Sequence, residues 1–99
     1  MSNERLSIIG TMNPIPGGGW RGAIKTKIFN AIVRVIPNTA RAGTHAEDSI
    51  PPYHVVVGTS RIGGAWEVLK HGKFTNHLHV VLDELGLSEP MRGTLALAD

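Results

Sequence analysis

His77-Leu78-His79 has the spacing for metal chemistry, because residues i and i+2 of a β-strand project from one face and two imidazoles there can chelate one ion. His54 and His71 are further imidazoles that could complete such a site, and Asp83 falls on the same strand face as the pair. Two ligands do not make a site, and no third has a position that the sequence determines. The pair therefore reads first as the solvent face of an amphipathic strand, with no metal and no cofactor expected. Glu67, between Trp66 and Val68, alternates outward, where a solvated role is commoner than general acid or base work. Serines and histidines occur without a nucleophile elbow or other local motif to pair them, so the chain is not expected to be an enzyme. The glycines of Asn13-Pro14-Ile15-Pro16-Gly17-Gly18-Gly19 do not make a phosphate loop, since no Lys-Ser/Thr follows and a strand, not a helix N-terminus, comes next.

Charge is the stronger signal. From Met1 to Arg41 stand Arg5, Arg21, Lys25, Lys27, Arg34 and Arg41 against Glu4 alone, whereas Asp83, Glu84, Glu89 and Asp99 near the other end face only Arg92. The basic half is candidate anion-binding surface, and equally a way of solvating an exposed sheet face and discouraging edge pairing.

The elements that position these residues read as strands. Ninety-nine residues suffice for one domain with one modest core. A loose terminus over residues 1–6 leads into a short strand around Leu6 to Met12, and Trp20 to Phe29 alternates with period two. Trp20, Gly22, Ile24, Thr26 and Ile28 then share one face, and Arg21, Ala23, Lys25, Lys27 and Phe29 the other. Asn30 reads as a turn, and Ala31 to Ile36 as a strand with Val33 and Val35 opposite Ile32, Arg34 and Ile36. Periodicity vanishes in a long loop over residues 39–52, with room for a helical turn near Ala46. Tyr53 to Gly58, Arg61 to Leu69 and Phe74 to Asp83 form a meander, with Leu78, Val80 and Leu82 inward, and Met91 to Ala98 is the last strand. In the middle strand Gly63 and Gly64 mark a bend, and Trp66 is expected to cover the core, as is Trp20. The expected fold is a single small all-β domain of six or seven short antiparallel strands, a strongly twisted sheet or open barrel.

Six spaced segments carry a family resemblance: Ile9-Gly10-Thr11, Gly19-Trp20-Arg21-Gly22-Ala23-Ile24, Arg34-Val35-Ile36-Pro37, Pro52-Tyr53-His54-Val55, Ile62-Gly63-Gly64-Ala65-Trp66 and Leu78-His79-Val80-Val81-Leu82-Asp83. Together they resemble the domain of unknown function 736 family, from about Ile8 to Leu97. The Ile-Gly-x-Ala-Trp core and the Tyr-containing strand before it are the most specific part. The resemblance implies a fold type and a setting on plasmids and integrative elements of proteobacteria; it brings no catalytic residues.

Two binding readings follow. In the first, Arg21, Lys25, Lys27, Arg34 and Arg61 form a stripe that follows a nucleic-acid backbone, with Phe29 as the aromatic that alternates onto the cationic face. In the second, the chain is a protein-binding adaptor or inhibitor, acting through an edge strand and loops on host or phage machinery. Homodimerisation through an edge strand fits either. No apolar run approaches a membrane span, Glu4-Arg5 stands where a signal peptide needs an apolar centre, and cysteine is absent, so a cytoplasmic setting is expected.

Overall fold

Val33 and Val35 point inward and are buried while Ile32 and Arg34, which alternate with them, are exposed, and this period of two recurs through most of the sheet. The computed structural model describes residues 8–39 and 50–98. Seven strands follow in order: β1 (Ile8–Pro14), β2 (Trp20–Lys25), β3 (Asn30–Pro37), β4 (Tyr53–Val57), β5 (Ser60–Lys70), β6 (Lys73–Leu82) and β7 (Met91–Leu97). Each pairs with its sequence neighbour, and β1 pairs with β7 to close a barrel. A meander reverses direction at every step, so an odd number of strands leaves the first and last pointing the same way. The closing pair is accordingly parallel, the one departure from antiparallel pairing.

Every strand contributes to the core, through Met12, Ile24, Val35, Val55, Ala65, Leu78 and Leu95 among others, all fully buried. Each of the larger side chains contributes about 1.5–3 kcal/mol relative to exposure, and with no cysteine present this burial carries the fold. The expected inward set of Leu78, Val80 and Leu82 is buried as a group. The barrel is closed rather than open, so the edges expected for strand addition are absent from most of the sheet.

Three local expectations are corrected. First, β2 stops at Lys25. The Thr26 hydroxyl accepts from the amides of Ile28 and Phe29, at 3.2 and 2.9 Å, and donates to the Phe29 carbonyl at 2.9 Å. This side-chain turn outcompetes the ladder. Lys27 therefore lies in a turn, Phe29 packs against the core instead of joining the cationic face, and Asn30 opens β3 opposite Lys25.

Second, Trp66 faces outward. Val55 pairs with Gly63 but Val56 pairs with Arg61, so Ile62 is an extra residue on β5 and the alternation changes phase there. Ile62, Gly63 and Ala65 are turned in, while Trp66 lies over His79 on the outside, with ring centroids 6.3 Å apart. Trp20, by contrast, packs against the core as expected.

Third, the same phase change moves Glu67 to the parity of Ala65, at the barrel mouth, where Tyr53 donates its hydroxyl to Glu67 Oε2 at 3.0 Å. Trp20 stands edge-on to Tyr53 with centroids 5.3 Å apart. Burial first, then the hydrogen bond to Glu67 and its charge, push the Tyr53 phenol up to about 12. Because the folded-state value exceeds the ordinary 10, the protonated phenol favours folding; that contribution is complete below pH 10 and is lost as pH rises toward 12. Tyr53 is the sole tyrosine, so phenolate absorbance reads it alone. An alkaline titration is expected to show a midpoint near 12 in the native protein and a lower one in Glu67→Gln, and a native midpoint at 10 would contradict this geometry.

The loop over 39–52 and the helical turn near Ala46 fall largely on residues 40–49, outside the described residues, as do the strand start at Leu6 and the loose terminus at 1–6.

Candidate nucleic-acid interface

Period-two alternation places Arg21 and Lys25 on the outer side of β2 and Arg34 on the outer side of β3, all exposed. Register then decides which of them meet. One row across the outer surface of β1 to β5 runs Asn13, Arg21, Arg34, Val56, Arg61. Arg21 and Arg34 are direct cross-strand partners, and Arg61 lies two strands beyond Arg34. At about 4.8 Å per strand the three arginines cover about 14 Å. Val56, flanked by two of them, is only 7% exposed, as expected where arginine methylenes lie over a small apolar residue.

The five expected cations are not equivalent. Among the described residues no side-chain hydrogen bond or ion pair ties Arg21, Lys25 or Lys27. Arg34 donates Nη2 to the Gly58 carbonyl at 2.9 Å, which orients its guanidinium without offsetting its charge. Arg61 is different: it is ion-paired to Glu84 and donates Nε to His54 Nδ1 at 3.1 Å. Burial first, and the Arg61 guanidinium second, push the His54 imidazole below the usual histidine value, in keeping with a neutral ring that accepts this bond. The cationic centre is thus the Arg21 and Arg34 pair, with Lys25 farther along β2 and Lys27 in the turn after it. Lys25 also borders an open hollow of about 390 Å³ lined by Ile8, Gly10, Thr11 and Ala23.

Like charges directly opposite each other on a sheet destabilise it by some tenths of a kcal/mol. An anion lying over Arg21 and Arg34 removes that cost, so the row is suited to phosphate. The exposed Arg21 guanidinium also retains its forked donors for bidentate contact, and Arg34 keeps those not given to Gly58.

His77 and His79 project outward on either side of buried Leu78. Among the described residues no group of three or more His, Cys, Asp or Glu side chains is placed to hold a metal ion. Asp83 lies just past the end of β6.

Lys70 and Lys73, outside the expected cationic stripe, face each other across the end of the β5–β6 hairpin. A signal was present: Leu69 and Phe74 bracket the turn-forming run Lys70-His71-Gly72-Lys73. His71 and Gly72 take φ of 54° and 76°, the two positive values that a two-residue type I′ turn demands.

A family model described as "Protein of unknown function (DUF736)" matches residues 8–99, nearly the whole chain. The chain belongs to the DUF736 family. No curated protein and no solved structure matches it. In this DUF736 chain the matched region takes in all seven strands, so the arginine row lies on the family domain itself. No helix among the described residues of the DUF736 domain is long and apolar enough to cross a membrane.

Proposed function

We propose that this protein is a non-enzymatic accessory protein of a mobile element that binds nucleic acid through the outer surface of β2 and β3. The supporting observation is the direct pairing of Arg21 with Arg34, both exposed, in a row with few offsetting acids. Lys25 and Lys27 extend the positive surface along β2 and into the following turn. Arg61 flanks it, its charge largely met by Glu84. No aromatic lies beside the arginine pair in that row, which favours contact with the phosphate backbone over base stacking. A cytoplasmic setting on a plasmid or integrative element agrees with such a role.

The test is a salt titration of binding to fluorescently labelled DNA. Three to four phosphates contacted by Arg21, Lys25, Lys27 and Arg34 correspond to a loss of roughly 40- to 150-fold between 50 and 200 mM salt, from a slope of about −0.9 per phosphate. Absence of binding at low salt would refute the reading. The second reading, a protein-binding adaptor or inhibitor, would then take precedence; its strand edges are those of the β5–β6 hairpin beyond the barrel wall.

A further inference from the structure

The end of the β5–β6 hairpin leaves the barrel. Pairing of β4 to β5 stops at Ala65, and pairing of β7 to β6 begins at His77. Among the described residues, residues 68–76 therefore have only each other as sheet partners. From Glu67 to Lys70 this ribbon reaches about 10 Å, at about 3.3 Å per residue. Asn76, at φ 62°, sits in the bulge where the pairing shifts by two residues, and Thr75 donates its hydroxyl to the Val68 carbonyl at 2.8 Å, so the base of the ribbon is pinned and twisted.

This ribbon presents apolar side chains to solvent. Leu69 is 59% and Phe74 39% exposed, and they are direct cross-strand partners. The next pair, on the opposite face, is Lys70 with Lys73, again two like charges facing one another, with His71 at the apex. The ribbon's single acid, Glu67, is held at its base by Tyr53. A two-stranded ribbon fits the major groove of duplex DNA, about 12 Å wide, where apolar side chains contact thymine methyl groups. Lysines on the outward face of such a ribbon have the length to reach round its edges to the phosphates that flank the groove.

We propose that the β5–β6 ribbon is an arm that enters the major groove of duplex DNA, with Leu69 and Phe74 against the base edges and Lys70, His71 and Lys73 on the phosphates. This rests on the nucleic-acid reading above. It adds the form of the ligand, a duplex, and a second contact region beyond the arginine row.

Binding of labelled duplex and of one of its single strands would be measured as a function of salt, for the native chain, for Leu69→Ser with Phe74→Ser, and for Lys70→Gln with Lys73→Gln. All four positions are exposed, so the variants are expected to melt with the native protein. The apolar pair variant should lose about tenfold in duplex affinity at an unchanged salt slope, because it releases no counterions, while the lysine variant should lower the slope by about two. Equal binding of duplex by all three proteins would overturn the arm and leave the arginine surface standing. No salt-dependent binding by the native chain would overturn both. Native self-association abolished by the Leu69 and Phe74 changes, without effect on duplex affinity, would assign the ribbon to a second copy and overturn the proposal.

Discussion

Arg21→Glu combined with Arg34→Glu is expected to weaken salt-sensitive DNA binding by on the order of 100-fold at low salt, with a slope shallower by about two. The two side chains are direct neighbours across β2 and β3 and project outward, so both changes strike the same phosphate contacts. The single change Arg34→Glu separates binding from folding. It leaves an acid opposite Arg21 and converts a like-charge pair into an attractive one, which contributes about 0.2–1 kcal/mol. Its melting temperature should therefore equal or exceed that of the native chain, while its DNA affinity falls. Fluorescence anisotropy and thermal melts on the same samples check both. A binding-competent double variant would remove the basis of the proposed function.

Gly63→Val should be the most damaging single change to the fold. A Cβ at Gly63 would stand 2.2 Å from the Val81 carbonyl oxygen and 2.8 Å from the Leu82 Cα, both main-chain atoms of the neighbouring strand. Neither can retreat without breaking the β5–β6 ladder. The expected cost is about 3 kcal/mol, which for a domain this size lowers the melting temperature by roughly 12–24 °C. Gly64 faces the other way, where its Cβ would meet the Pro51 ring at 2.7 and 2.8 Å. Pro51 lies outside the strands, held through its carbonyl by Asn38 Nδ2 at 2.8 Å, so its ring can shift at the cost of that bond and not of the ladder. Gly64→Val should then cost about 1 kcal/mol. Thermal melts that rank Gly64→Val below Gly63→Val in stability would contradict this account of the bend.

The two glycines show how far local pattern carries. Adjacent glycines before Trp66 signalled a bend, and a bend is there. The pattern held no sign that Ile62 would be the extra residue, because a bulge is defined by what stands opposite, here Val55 and Val56. Once the phase changes, Trp66 moves outside and Glu67 to the mouth beside Tyr53. The early end of β2 is another matter: Thr26 three residues before Phe29 is a local turn signal, masked by an alternation that continues through it. Within the candidate interface, the outward direction of Arg21, Lys25 and Arg34 was legible from period two. The partial neutralisation of Arg61 was not, since Glu84 lies 23 residues away.

By itself, the sequence determined an all-β chain, the inward set of β3 and β6, and the concentration of basic residues in the first half. These follow from side-chain chemistry and from the period of the strand, which are local properties. Only the tertiary structure decided that the sheet closes, that its closing pair is parallel, that Arg21 stands opposite Arg34, and that the end of the β5–β6 hairpin projects beyond its neighbours. Each of these depends on register between strands, and register is set by the packing of the whole barrel around one core.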